Sequence, residues 1–236
     1  MLRPSADLGP PPSATNVRLL AGPAVPAPSG LVAFCAREPE ACLQSDDTSR
    51  QATPSRLSNA NHEAREHEIL TRRRWRQLNE VSRDVNHTIA PVSDQDQYGV
   101  PDYWTVPVSV RAGLAASGDC EDYALEKRAR LIALGWLPQS LVLAVVTAPT
   151  IGRHAVLVVQ TDRGDLVLDN LHDEPRELAS LGYQWLSRQS GPILQSWASA
   201  RVEAPETLIL HSQLNADSTI APAFVTPPTQ AWRLQN

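Results

Sequence analysis

The chain has 236 residues, 42% of them hydrophobic and 20% charged, with a formal net charge of −5. That length suits one domain or a domain with extensions, and the composition is that of an ordinary globular protein. The acidic balance argues against nucleic acid or an anionic membrane as partner, since both call for a basic footprint, and no apolar run is long enough to predict a transmembrane segment.

Residues 1–30 are rich in Pro, Ala and Ser without a period and are predicted to be a disordered leader. Met1 to Ser13 lacks the apolar stretch of a signal peptide, so either the chain stays in the cytosol or its export signal lies outside this sequence. Cys35 and Cys42 sit close together in FCAREPEAC, and Cys120 stands apart. One reading is a local disulfide plus a free thiol, which implies an oxidising compartment; the other is three reduced thiols.

Residues 44–60 are polar and read as a loop. From about His62 to His87, Ile69, Leu70, Leu78, Val81 and Val85 recur near helical spacing, and Arg72, Arg73 and Arg74 read as a solvated face of that helix. Pro91 closes the region, and residues 92–117 form a connecting segment. A second helix is predicted from Cys120 to Leu134, with Gly135 at the position a terminating glycine takes. Leu141 to Ala148, Ala155 to Thr161 and Leu166 to Leu168 read as strands, and Glu206 to Leu214 as one more. The tail after Asn215 is Pro-rich and reads as loose. Helices and strands are segregated, which favours an α+β fold.

Chemistry concentrates in Ser117-Gly118-Asp119-Cys120-Glu121-Asp122-Tyr123. Asp119 reads as the N-cap, with Asp122 at the third helical position. Cys120 then starts the helix, where free backbone N–H groups and the helix dipole favour a thiolate, the species that attacks carbonyls. Its own N–H is a candidate oxyanion donor. Two flanking carboxylates oppose the thiolate, so a nucleophilic Cys120 needs a cation nearby. His154, at the mouth of an apolar strand, and Asp169, closing the next one, are candidate partners. A tight hairpin puts them on one face; a turn centred on Arg163-Gly164 leaves them apart unless a bulge or twist joins them. Each residue also has a plain reading, as a small buried thiol, a hydrogen-bonded strand end and a turn carboxylate. No paired Cys/His spacing surrounds Cys120, which argues against zinc.

The blocks GDCEDYALEKRARLIALGW (118–136), HAVLVVQTDRGDLVLDNL (154–171) and YGVPDYWTVP (98–107), with FCAREPEAC (34–42), resemble the bacterial transglutaminase-like cysteine peptidases, the LapG-type periplasmic proteases among them. The resemblance covers about residues 30–200. It implies a papain-like or transglutaminase-like α+β core, with N-terminal helices packed on an antiparallel sheet across a peptidase domain of residues 31–214, and a loose tail over 215–236. It implies a triad of Cys120, His154 and Asp169, with Asn170 as the fallback orienter, and a calcium ion held by Asp119, Glu121 and Asp122. It further implies a periplasmic or secreted protein, a surface adhesin as substrate and an inner-membrane cyclic-di-GMP receptor as partner. Trp104 reads as a cleft wall or as packing. A transglutaminase or amidase acting on Gln side chains would use the same triad, and a non-catalytic binding module would keep only the fold.

Overall fold

The stretches 141–148 and 155–161 are apolar at almost every position rather than at every second one, which requires strands covered on both faces. The computed structural model describes residues 9–42, 67–107 and 116–205 and meets that requirement. Among these residues the strands are β1 (Arg18–Val25), β2 (Ala90–Pro91), β3 (Ser117–Gly118), β4 (Leu141–Ala148), β5 (Gly152–Thr161), β6 (Gly164–Asp169), β7 (His172–Glu177), β8 (Gln184–Gln189) and β9 (Trp197–Glu203). The helices are α1 (Ser29–Arg37), α2 (Pro39–Cys42), α3 (Arg72–Thr88), α4 (Asp94–Tyr98) and α5 (Cys120–Ala133).

Seven strands form one sheet in the order β1-β9-β8-β4-β5-β6-β7, antiparallel throughout. Leu143 and Val145 of β4 and Leu157 and Val159 of β5 face the helices. They share a core with Phe34 of α1, Leu78 and Val85 of α3, and Leu125 and Leu131 of α5. The alternate residues, Val142, Ala144, Val146, Val156 and Val158, make a second core with Leu19 and Leu178. The sheet closes that second face itself. Asp165 at the start of β6 accepts the Leu19 N–H at 2.8 Å and pairs with Arg18 at 3.0 Å, so β1 folds back over β6. Each fully buried Val or Leu contributes about 1.5–3 kcal/mol, and the sheet centre is therefore the rigid platform of the molecule.

The fold is α+β with helices on an antiparallel sheet, as the sequence predicts. Several boundaries differ. The disordered leader expected over 1–30 is corrected within the described residues, because Arg18–Val25 is an edge strand paired with β9 and Leu19 is fully buried, while residues 1–8 lie outside them. Pro23 falls where the pairing register shifts between Ala21 and Ala24, on the sheet edge, where a missing N–H costs no ladder bond. The helix expected from His62 begins at Arg72, with Thr71 Oγ1 accepting the Arg74 N–H. Before it, Glu68 pairs with the end of β5, and Asp162 takes the Leu70 N–H at 2.8 Å. Arg74 donates to the Gly135 carbonyl and lies over the Trp136 ring, so part of the arginine run is packing. The connecting segment 92–117 contains α4 and the short parallel pair β2–β3. The strands holding His154 and Asp169 are longer than expected, and β7, β8 and β9 were not expected at all. The strand expected over 206–214 and the tail 215–236 lie outside the described residues.

Cys35 and Cys42 form a disulfide, with Cα atoms 5.5 Å apart. It ties α1 to α2, and closing so short a loop constrains the unfolded chain by about 2–3 kcal/mol. Cys120 is the free cysteine among the described residues.

Candidate active site

The start of α5 is held from two sides. The pair β2–β3 anchors Ser117 and Gly118 beside the end of α3, with the Val92 N–H on the Gly118 carbonyl at 3.0 Å. A Cβ on Gly118 would lie 2.7 Å from the Asp122 Cβ, so only glycine lets that side chain tuck beneath the turn. Cys120 is the first residue of the helix. Its thiol donates to Glu121 Oε2 at 3.1 Å, and its Sγ accepts the backbone N–H of Ala155 at 3.4 Å. The second contact sets the thiol against the residue that follows His154.

His154 and Asp169 are joined by a hydrogen bond of 2.9 Å from Nε2 to Oδ1. The hairpin turns at Asp162-Arg163, because Thr161 is opposite Gly164 and Leu157 opposite Leu168. Continuing that register puts Asp169 opposite Val156, one same-face step from His154. Side chains of this length reach such a diagonal neighbour, so the pair needs no bulge between β5 and β6. Both residues are buried.

Asp169 accepts further bonds from the Leu171 N–H at 2.9 Å and from the Tyr183 hydroxyl at 2.5 Å. Burial alone would raise its carboxyl, but the His154, Tyr183 and Leu171 donors together outweigh that and hold it below the usual carboxylate range. An ionised Asp169 accepts only, so Nε2 of His154 carries the proton and Nδ1 is left as the basic nitrogen. Lys127, about two turns further along α5, is buried with Nζ unpartnered among the described residues. Burial drives it down to about 7 against the opposing pull of Asp169 and Asp173.

The thiol itself is not poised as its helix position predicts. Burial first, and then the Glu121 carboxylate, push Cys120 far above the ordinary thiol range. The Ala155 N–H lowers it only in part.

Asp119 lies close to Glu121 in one cluster and to Asp122 in another, and Asp94 and Asp102 add two further carboxylates. Oxygens of Asp94, Asp119 and Asp122 lie within 4.8 Å of one another, as do those of Asp94, Asp102 and Glu121. Asp119 occupies the N-cap position but its side chain makes no cap bond, which corrects the capping expectation. Its Oδ2 accepts the Asp94 N–H at 3.1 Å instead. Asp122 likewise does not reach back to the cap, and accepts the Thr105 N–H at 2.6 Å. Asp94 Oδ1, Asp119 Oδ1 and Asp122 Oδ2 are buried without a hydrogen-bond donor among the described residues. Burial, with Asp119 next, pushes Glu121 up to about 9. Burial raises Asp122 to about 7 despite the Thr105 N–H, and raises Asp94 as well. Orphaned acceptor oxygens on crowded, buried carboxylates suit a hard cation such as calcium, which takes oxygen ligands.

Asp94 and Asp102 carried no signal in the sequence, because they reach the cluster from α4 and the loop after it. Tyr183 carried none either. Asn170 is not bonded to His154, since Asp169 takes that place. Trp104 is buried, donates to Asp102 at 2.8 Å, and also lines a cavity of about 190 Å³ with Tyr98, Tyr103 and Ser117.

A free cysteine at a helix start, set beside two paired strands that carry a hydrogen-bonded histidine and carboxylate, is an arrangement suited to a cysteine hydrolase. The family model of the bacterial transglutaminase-like cysteine proteinases matches residues 21–204, and the chain belongs to that family. No curated protein matched the sequence. Among solved structures, the chain is similar to calcium-bound LapG of Legionella pneumophila, with 24% identity and a TM-score of 0.42 over 49% of this chain. The chain spans about 64% of that protein's length. It is also similar to EGTA-treated LapG from the same organism, with 21% identity and a TM-score of 0.44 over 60% of this chain and 77% of that one.

Proposed function

We propose that the chain hydrolyses a peptide bond of a protein substrate through an acyl-enzyme on Cys120. The observation that carries this is the buried His154–Asp169 pair on β5 and β6, with the amide next to His154 bonded to the Cys120 thiol. His154 Nδ1 takes the thiol proton, and Sγ attacks the substrate carbonyl carbon. The Cys120 N–H, in the first helical turn where amides lack intrahelical partners, helps hold the oxyanion. His154 returns the proton to the leaving amine, and a thioester remains. Water, deprotonated by the same nitrogen, then releases the acid and restores the thiol. Asp169 stays ionised throughout, holding the ring and balancing the imidazolium.

Asp119, Glu121 and Asp122, with Asp94 and Asp102, would hold the calcium ion. Bound there, calcium would supply positive charge against the carboxylates that keep the thiol protonated. The Cys35–Cys42 disulfide supports a periplasmic or secreted location, where a cell-surface protein would be the substrate. The adhesin substrate and the cyclic-di-GMP receptor follow from the family resemblance, not from any residue of this chain.

The calcium part has a signed test. Glu121 and Asp122 have folded values raised above their ordinary ones, to about 9 and about 7. The folded metal-free chain therefore holds more protons than the unfolded chain between about pH 4 and pH 9, and its stability falls as pH rises through that window. Calcium competes with those protons. Millimolar calcium is expected to raise the melting temperature more at pH 8 than at pH 5, and Asp119→Asn with Glu121→Gln is expected to remove the difference. Equal shifts at both pH values, or shifts retained in the double variant, would place any bound calcium elsewhere. The peptidase part is tested by mass spectrometry of a denatured protein mixture after incubation. New chain termini are the expected product; incorporation of an added amine would instead mark a transglutaminase.

A further inference from the structure

We infer that Tyr183, just before β8, is a positioning residue of the site, closing the far side of the Asp169 carboxylate so that His154 keeps one orientation. The inference rests on the triad reading above. Strand β8 lies next to β4, with Trp185 opposite Val146, and β4 in turn places Val146 opposite His154. Tyr183 therefore approaches from across β4, over the same face that carries His154 and Asp169. Its hydroxyl donates to Asp169 Oδ2 at 2.5 Å, while Oδ1 is occupied by His154 and Leu171 at 2.9 Å each. Both carboxylate oxygens are thus fixed, and a carboxylate bonded at both ends cannot rotate away from the imidazole. The Tyr183 ring also meets the His154 ring edge-on, at 6.3 Å between centroids and 80° between planes. Trp185 stands 6.4 Å beyond it. The two aromatic side chains make a half-buried roof over the His154–Asp169 hydrogen bond, which limits water and strengthens it.

A tyrosine that merely filled space would look different. Tyr183 is only partly buried, yet its hydroxyl donates to the one carboxylate oxygen that the other donors leave open. The other charged groups around this carboxylate do not replace it. His172 Nδ1 is 3.9 Å from Oδ2, beyond hydrogen-bond reach. Lys127 of α5 makes no hydrogen bond with it and meets it only through charge, Arg176 of β7 acts by its charge on Tyr183, and Asp173 by its charge on Lys127.

The test is the His154 Nε2–H resonance, read by NMR on full-length protein with nitrogen-labelled histidine and calcium present, alongside the rate of Cys120 alkylation by iodoacetamide. In Tyr183→Phe, which keeps the ring, the resonance is expected to shift upfield and exchange faster with water. Alkylation is expected to slow about tenfold, as loss of a charged hydrogen bond implies, with little change in melting temperature. Asp169→Asn is the reference and is expected to remove the resonance. If Asp169→Asn removes it and Tyr183→Phe changes neither reading, Tyr183 does not position the pair although the triad stands. If Asp169→Asn leaves the resonance in place, the triad reading itself fails. Should Tyr183→Phe not fold, fluorotyrosine at this position keeps the contact with a stronger donor. The resonance is then expected to move, and an unmoved one overturns the inference.

Discussion

Replacing Cys120 with alanine is expected to abolish peptide-bond cleavage, lowering kcat by at least about 10⁴-fold, because it removes the thiol proposed to form the acyl-enzyme. Among the described residues Cys120 is the free thiol, and the other two cysteines are joined to each other. The variant should fold normally. The thiol gives up one weak bond to Glu121 and one from the Ala155 N–H, and alanine is well tolerated at a first helical position. Its stability in urea is therefore expected to stay close to that of the parent chain, and mass spectrometry of the protein mixture should find no new termini. Retained cleavage would move the chemistry to another residue.

The second large effect is expected from Asp169→Asn. Asparagine keeps the size but removes the charge that balances the imidazolium, and its amide nitrogen can turn a donor toward His154 Nε2. The first leaves the imidazolium unbalanced and the second puts the ring in the wrong tautomer, so kcat should fall by about 10³-fold with KM little changed. Stability should fall as well, because the amide cannot accept from His154, Leu171 and Tyr183 together. The parent carboxylate contributes its stability above the ordinary Asp range and loses it as pH falls through the depressed folded value. The asparagine variant should lack that acid-side loss, which a pair of urea titrations, one near neutrality and one near about pH 3, would reveal.

How much of this could be read in the chain depends on where each residue finds its partners. β4, β5 and β6 are legible because burial on both faces leaves long runs of Val and Leu. The start of α5 is legible because Gly118-Asp119-Cys120 carries local helix-start chemistry. β7 is not legible: HDEPRE is mostly exposed, breaks alternation and contains Pro175. β1 hides behind Gly22-Pro23, yet it is held by contacts made far along the chain, such as Asp165 on the Leu19 N–H. The same contrast runs through the site. Cys120, His154 and Asp169 stand in local contexts that mark them. Tyr183, Asp94 and Asp102 matter only through neighbours that the fold brings to them.

Asp119 shows how a sound local rule is overridden. At a free helix end its carboxylate would cap the first amides. Here the Asp94 N–H draws it toward the carboxylates of Asp94, Glu121 and Asp122, and the cap bond is given up. The same crowding explains why Cys120 departs from the thiolate that its helix position favours. The helix dipole offers less than about 1 kcal/mol at such a site, and it is outweighed by burial and by Glu121 at 3.1 Å. A cysteine at a helix start is therefore not activated by that position alone. On the proposed reading its reactivity depends on what is done to the carboxylates beside it and on His154.

That dependence is read most directly from the rate of Cys120 alkylation by iodoacetamide across pH, with and without calcium, in the parent chain and in His154→Ala. Ready reaction below about pH 7 is expected when calcium is present, and slow reaction without it. His154→Ala should lose the fast reaction even with calcium. A thiol that follows an ordinary profile near about pH 8.5, unmoved by calcium and by loss of His154, would contradict that dependence and leave Cys120 a buried structural cysteine.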